Sequence, residues 1–298
     1  MKMPLHPIQG ILWMISTGLC FIAVTAIVKY AAQDLPAAEA AFLRYLLGLV
    51  FLLPIARTLL ATRISSRDLK FFAARGLVHT LAVILWFYAM TQIPIAEVTA
   101  MNYLNPVYVT LGAAIFLGET LALRRILAVV AALLGVVVIL RPGFREIETG
   151  HLAMLATAAL FGASYLFAKP LSGRYSATMV VAMLSVTVTV GLAPFAFAVW
   201  RTPTVADLGW MFLVAAFATA GHYTMTRAFA AAPISVTQPV TFLQMVWAVL
   251  LGWAFFAEPP DGFVILGALI IIASVSFIAW REARLKRGVT PPHVATKH

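Results

Sequence analysis

Long apolar segments alternate with short polar breaks along the whole chain. Reading these segments against the positions of Pro, Gly and charged residues predicts helices that are each about 20 apolar residues long, enough to cross a bilayer. Ten such helices are predicted, at residues 8–28, 39–56, 71–92, 97–117, 124–140, 151–168, 178–200, 208–230, 235–256 and 262–280. The breaks between them are short, so we expect little of the protein outside the membrane.

The chain is built as a tandem repeat. Residues 94–119 return 139 positions later, without a gap, as residues 233–258, and 7 of the 26 paired positions are identical. The identical positions include the prolines that begin both copies and the glutamates that end them. We therefore predict two five-helix domains, 8–141 and 150–281, followed by a basic tail at 282–298.

Five helices per repeat is an odd number, so the second repeat must cross the membrane in the opposite orientation to the first. Inverted repeats around a central site are typical of secondary transporters that work by alternating access. The predicted fold is thus an all-α integral membrane protein with ten transmembrane helices arranged as two inverted repeats. Composition agrees with this fold, because 62% hydrophobic and 11% charged residues cannot cover a soluble globule, which is usually about 25% charged.

The net charge of +10 would suggest nucleic-acid binding in a soluble protein. Here the lipid bilayer is the expected partner, nucleic acid is not, and the positive charge is expected on cytoplasmic loops. Fourteen Lys and Arg residues fall on the side of the two termini, and four fall on the opposite side. This bias predicts a multi-pass protein of the cell (inner) membrane with both termini in the cytoplasm. The single cysteine, Cys20, excludes an intramolecular disulfide, and we expect no metal site and no cofactor.

The sequence resembles the EamA family of the drug/metabolite transporter superfamily. The resemblance covers both halves, each of which ends its fourth helix in an apolar run closed by Gly118-Glu119 or Ala257-Glu258. The proline of the family's fourth helix matches Pro106, whereas Met245 stands at the equivalent position of the second repeat. The resemblance implies a carrier whose solute lies between the halves, in a cavity formed mainly by predicted helices 1, 3, 4, 6, 8 and 9.

Polar side chains within apolar helices are the candidate solute-binding residues, because such groups normally face the bundle interior or a wet cavity. Arg75, His79 and Trp86 share one face of the third helix. A cation, a titratable ring and an indole on one face suit an anionic or aromatic solute. The alternative for Arg75 is an anchor at the cytoplasmic end of its helix.

Two further groups complete the predicted substrate-binding residues. Asn102 and Asn105 lie on the fourth helix, and Gln244, at the position equivalent to Asn105, lies on the ninth with Trp247. His222 and Tyr223 lie on the eighth. The alternative for the amides is hydrogen bonding between helices, which contributes about 0.6 kcal/mol on average.

The sequence does not identify the partner or the role of three further groups of residues. Arg44 requires a buried partner that the sequence does not name. Glu97 begins the fourth helix, where its carboxylate complements the positive helix end and could also couple transport to protons. Small residues such as Gly135 and Gly267 permit close helix packing, either within the bundle or between two copies, so a homodimer is left open.

These observations favour a secondary transporter for a small-molecule substrate, with riboflavin, an aromatic amino acid and S-adenosylmethionine as candidates. The alternatives are a membrane-embedded enzyme or an accessory membrane subunit. We expect no enzyme, because the sequence has no zinc-binding His-Glu-x-x-His, no Gly-x-Ser-x-Gly nucleophile motif and no Gly-rich phosphate loop.

Overall fold

The computed structural model describes residues 6–117, 122–232 and 234–288, and every regular element within these ranges is a helix. A 3₁₀ segment at Leu49–Ile55 continues the second helix. The α-helices of the described ranges are α1 Pro7–Ala31, α2 Ala37–Gly48, α3 Ala56–Ala61, α4 Ser66–Gln92, α5 Ile95–Asn102, α6 Asn105–Leu117, α7 Leu123–Leu140, α8 Thr149–Ser172, α9 Ala177–Ala198, α10 Val205–Ala231, α11 Ile234–Thr241, α12 Leu243–Phe256 and α13 Gly262–Gly288.

Nine helical segments of the described chain are long and apolar enough to cross a bilayer. The prediction of an all-α integral membrane protein is therefore confirmed, while the number ten stays a prediction. The difference arises at predicted helix 97–117, which is divided into α5 and α6. Each piece is shorter than the roughly 20 residues that a span requires.

The fourth helix of each repeat is interrupted at the same repeat position. In the first repeat the break lies at Tyr103, just before Pro106, whose ring provides no N–H for the carbonyl of the preceding turn. In the second repeat the break lies at Phe242, the equivalent position, although the proline there is Pro239, three residues before the break. The two repeats thus place a proline on opposite sides of equivalent breaks, so Met245 in place of a second matching proline does not prevent the interruption.

Helices of one repeat pack mainly on helices of the other. The first predicted helix packs along the eighth, as α1 on α10, and the third packs along the sixth, as α4 on α8. The fifth packs on the tenth, as α7 on α13. Exchanging the repeats converts the pair α1–α10 into the pair α4–α8 and leaves the pair α7–α13 unchanged. This is the pattern expected of two halves that are related by a two-fold axis.

The contact of α7 with α13 depends on two glycines. A Cβ atom added at Gly135 would lie 2.8 Å from the carbonyl oxygen of Gly267, and one added at Gly267 would lie 2.5 Å from that of Gly135. Both distances are too short for real carbon atoms, so only glycine allows these backbones to approach so closely. These two small residues therefore pack against each other within the chain.

The bundle has two ends, which we name by residues that lie there. At the Arg174 end, the Asp68 carboxylate of α4 accepts hydrogen bonds from Arg174 and from the Tyr175 hydroxyl, the latter at 3.0 Å. Ser65 and Ser176 cap α4 and α9 at this end by accepting backbone N–H groups. The opposite end is the Lys29 end, where α1 finishes. Its contacts are described with the site.

Candidate solute cavity

A cavity of about 550 Å³ lies at the level of the two helix breaks. Its wall includes Asn102, Tyr103 and Asn105 from the first break, and Thr241, Phe242 and Gln244 from the second. The breaks also touch each other, because the Tyr103 hydroxyl donates to the carbonyl oxygen of Thr241 at 3.4 Å and its ring meets that of Phe242 edge to face at 5.5 Å. The cavity therefore lies where the two repeats meet.

Amides supply the cavity wall with hydrogen-bonding groups. The Asn105 Nδ2 donates to Asn102 Oδ1 at 3.0 Å. This leaves Asn105 Oδ1 buried without a partner among the described residues, which normally costs about 1–3 kcal/mol. A solute donor would satisfy this oxygen, and Gln244 offers a second amide from the other repeat.

Aromatic rings form much of the remaining surface. Phe21 from α1 and Tyr165 from α8 join Tyr103 and Phe242 in the wall. Tyr165 is 50% exposed although protein surrounds it, which means that it faces internal space. These rings offer stacking surfaces to a planar solute.

No Asp, Glu, Lys or Arg is among the described residues that line this cavity. The polar part of its wall consists of amides and of hydroxyls such as those of Thr17 and Thr110. The cavity wall is therefore polar but uncharged.

Beside this uncharged wall lie four basic side chains, Arg44, Arg75, His79 and His222, which we call the basic cluster. Both arginines lie close enough to the His79 ring to act on it electrostatically. His222 is likewise close to His79 and to Arg44. The basic cluster borders the cavity, because the His222 ring packs on Phe21 at 5.2 Å and Arg75 is close to Tyr165.

The structure distributes the eight predicted site residues among four places. Asn102, Asn105 and Gln244 line the cavity, and His79 and His222 lie beside it. Trp86 lies farther away, separated from His79 by the Phe161 ring, which contacts both. The two remaining residues are not brought to the cavity wall.

Tyr223 is exposed and accepts a hydrogen bond from Arg227 at 2.9 Å. Arg227 in turn lies over the Trp13 ring at 5.1 Å. Trp247 packs beneath the Lys29 end against Ile22 and Ile95. Neither residue lines the cavity described here.

Several lining residues are not among the predicted ones, including Thr17, Phe21 and Tyr165. Tyr165 carries a weak signal, as a polar aromatic residue in an apolar helix. The tenth predicted helix also contributes to the wall through Val275 and Ile278, although the family resemblance did not imply it. Its lining residues are apolar, so nothing in the sequence distinguishes them from packing residues.

An ion pair closes the Lys29 end above the cavity. The Lys29 ammonium lies 2.7 Å from Glu258 Oε1 and donates to the Ile93 carbonyl oxygen at 2.8 Å. Glu258 Oε2 accepts the backbone N–H of Ile95 at 2.9 Å, at the start of α5. The pair thus joins the end of α1, the end of α12 and the positive end of α5.

A second ionic group holds α5 against α8. The Glu97 carboxylate accepts both arms of the Arg145 guanidinium, at 2.9 and 2.6 Å, and contacts His151 Nε2 at 2.5 Å. His151 Nδ1 accepts the Glu148 backbone N–H at 3.0 Å, so Nε2 carries the proton that is directed at Glu97. The hydrogen bond with Glu97 raises the pKa of Arg145.

Two more charged contacts lie at this end. Arg141 pairs with Asp261, which also accepts the backbone N–H groups of Phe263 and Val264 at the start of α13. Partial burial opposes ionisation, but these hydrogen bonds and the arginine lower the pKa of Asp261. Buried Glu39 accepts the backbone N–H of Arg201 at 2.9 Å, so it lies at the end of α2 away from Arg44.

Comparison with known proteins agrees with this architecture. The model of the EamA-like transporter family matches residues 8–141 and 148–280. A protein named riboflavin transporter from Rhizobium johnstonii is 33% identical over 95% of this chain and 95% of its own length. Another of that name from Vibrio cholerae serotype O1 is 29% identical over 95% and 96%. A protein of known crystal structure has the same fold, with a TM-score of 0.60 and 18% identity over 93% of this chain and 98% of that one.

Proposed function

Because the chain belongs to the EamA-like transporter family, we propose that it is a secondary transporter that moves a small organic metabolite across the cell membrane by alternating access. Membership in a family of transporters points to transport and not to an enzyme. The observation that carries the proposal is the cavity at the meeting point of the two helix breaks, where the buried Asn105 oxygen has no partner among the described residues. Interrupted helices at a repeat interface are where such transporters bind their solutes.

Alternating access requires that each end of the bundle can be closed in turn. In the described structure, three ionic contacts close the Lys29 end: Lys29 with Glu258, Arg145 with Glu97, and Arg141 with Asp261. The cavity extends from the helix breaks toward the Arg174 end, since Met14 and Met225 lie in the halves of α1 and α10 nearer that end. With the termini in the cytoplasm, as the distribution of positive charge predicts, this is an inward-facing arrangement.

Riboflavin is the candidate solute that fits the cavity wall best. Its planar ring system would stack on aromatic side chains such as Tyr165 and Phe242. Its pyrimidine edge presents carbonyl oxygens and an N–H to the amides of Asn105 and Gln244. An aromatic amino acid satisfies the first requirement only. S-adenosylmethionine fits least, because its sulfonium cation would lie near the basic cluster.

Counterflow in proteoliposomes tests the proposal. Vesicles loaded with unlabelled solute and containing the purified protein would receive labelled riboflavin, phenylalanine, tryptophan or S-adenosylmethionine in separate experiments. We expect saturable uptake of riboflavin, reduced roughly 5- to 150-fold in Asn105→Ala, because a lost hydrogen bond to a buried amide costs about 1–3 kcal/mol.

Gln33→Ala provides a matched control, since the Gln33 amide is exposed and bonds only to the Lys29 carbonyl oxygen among the described contacts. We expect this variant to transport like the wild type. Uptake of none of the four solutes, or equal losses in the two variants, would contradict the proposed function or its site.

A further inference from the structure

The basic cluster contains two permanent cations, Arg44 and Arg75, within helical segments that are apolar enough to cross a bilayer. Among the described residues, no carboxylate forms an ion pair with Arg44 or Arg75. Elsewhere in the described chain, the buried carboxylates of Glu97 and Asp68 are paired with arginines. Two uncompensated guanidinium groups within a bilayer are costly, so the fold alone gives no reason to keep them.

The contacts of the two arginines leave binding capacity unused. Arg75 is only 6% exposed, and its NH1 donates to the Val180 carbonyl oxygen at 3.1 Å. Its Nε has no partner among the described residues. Arg44 stacks over the Tyr45 ring at 3.9 Å, a contact that satisfies part of the charge without using its N–H groups. Each guanidinium carries five N–H donors in a planar fork that suits a carboxylate or phosphate.

The two histidines add further hydrogen-bonding groups beside the arginines. His79 is held by Ser164 through its Nδ1, at 3.1 Å, which leaves Nε2 available. His222 is exposed although protein surrounds it, so it faces internal space next to Phe21. His222 therefore lies between Arg44 and the cavity wall at Phe21.

The repeat shows that the fold does not require this cluster. At the repeat offsets of 139 and 140, Arg75 corresponds to Val214 or Ala215, and His222 corresponds to Val83 or Ala82. Two of the four positions of the cluster are therefore apolar in the other half. A difference between two otherwise equivalent halves is expected where one end of an asymmetric solute binds.

We propose that the basic cluster is an anion-binding subsite of the solute cavity, so that an aromatic solute that also carries a carboxylate or phosphate is bound more tightly than a neutral one. This inference rests on the proposed transport function and deepens it. The ring occupies the uncharged wall at the helix breaks, and the anion accepts hydrogen bonds from Arg44 and Arg75. An acidic aromatic solute is then preferred to its neutral counterpart.

Riboflavin and riboflavin 5′-phosphate differ only in the phosphate group and provide the test. In counterflow, we expect the phosphate ester to compete with labelled substrate at a concentration roughly tenfold or more below that of riboflavin, since hydrogen bonds to charged groups are the strong ones. Arg44→Gln and Arg75→Gln should remove this preference while leaving competition by riboflavin within about twofold. Arg75→Lys should retain part of it. Arg227→Gln, which changes an exposed arginine bonded to Tyr223, is the matched control and should behave as wild type.

A second measurement keeps the inference testable if neither flavin is transported. Inorganic phosphate at millimolar concentration should raise the thermal unfolding temperature of the purified wild type. The increase should be much smaller in the two Gln variants. A monodisperse elution profile of each variant serves as the control that it is folded. Equal competition by the two flavins together with equal phosphate protection of wild type and variants would overturn the anion subsite. Flux of riboflavin with that result leaves the proposed function intact, whereas flux of no organic solute refutes the function itself.

Discussion

Replacing Glu258 by Gln tests whether the ion pair at the Lys29 end holds that end closed. Glu258 and Lys29 are mostly buried, with 15% and 13% of their side chains exposed. The change removes the charge that attracts the Lys29 ammonium and weakens the acceptor for the Ile95 N–H. Stranding one member of a fully buried pair costs about 3–5 kcal/mol. With some solvent access, we expect about 2–3 kcal/mol against the closed arrangement, or roughly 30- to 150-fold in its equilibrium.

Cysteine labelling measures this shift. Ala248 is completely buried and lines a smaller cavity of about 310 Å³ that also contacts Glu258. Ala248→Cys in a Cys20→Ser background therefore reports opening from the Lys29 side to a membrane-impermeant maleimide. We expect Glu258→Gln to accelerate labelling at least about tenfold. Asp207→Asn, which changes a half-buried carboxylate that caps α10 at the same end, should leave the rate unchanged.

A double variant distinguishes the ion pair from a general loosening of the fold. Combining Lys29→Gln with Glu258→Gln strands neither charge, so its effect should be clearly smaller than the sum of the single effects. A labelling rate within twofold of the parent in Glu258→Gln, or additive effects in the double variant, would refute the assignment of Lys29 and Glu258 as the closing pair.

Three further predictions concern stability in detergent. Gly135→Leu should lower the free energy of unfolding by about 1–3 kcal/mol or more, because the new side chain overpacks against Gly267. The thermal unfolding temperature should fall accordingly. Gly209→Leu is the control and should be nearly neutral, since a Cβ atom at Gly209 meets nothing within 4 Å. Glu97→Gln should cost about 3 kcal/mol because it leaves the Arg145 charge without its carboxylate, and unchanged thermal unfolding would contradict the ionic link between α5 and α8. Asp261 has a lowered pKa in the folded protein, so its contribution is present above the unfolded value of about 4 and is lost as the pH falls through the folded pKa. The thermal unfolding temperature of Asp261→Asn should accordingly be lower than that of wild type at neutral pH. On acidification it should fall less than that of wild type.

Much of the fold follows from the sequence because the determining signals are local or internal to it. Apolar length specifies where helices can cross a membrane, and the repeat between 94–119 and 233–258 relates the two halves. The positions of amides within apolar helices indicated Asn102, Asn105 and Gln244, which line the cavity in the structure. Membrane insertion penalises polar groups one by one, so their positions can be read without knowing the packing.

The remaining features depend on contacts between residues far apart in the chain. The sequence places Lys29 and Glu258 at the same side of the membrane, but only the packing of α1, α5 and α12 makes them partners. Likewise, the sequence around these residues does not indicate that Tyr165 faces the cavity, whereas Tyr223 is exposed and contacts Arg227. An apolar helix in a bilayer has no hydrophilic surface to reveal its orientation, since lipid and protein interior are equally apolar.

The sequence by itself thus determined the class of protein, the two repeats and the polar residues that need an explanation. The tertiary structure decided which of them meet. It placed the second helix break at Phe242 without a matching proline, and it left Arg44 and Arg75 without a carboxylate among the described residues. The physical reason is that hydrophobic length acts on each helix separately, whereas cavities, ion pairs and uncompensated charges exist only where several helices pack together.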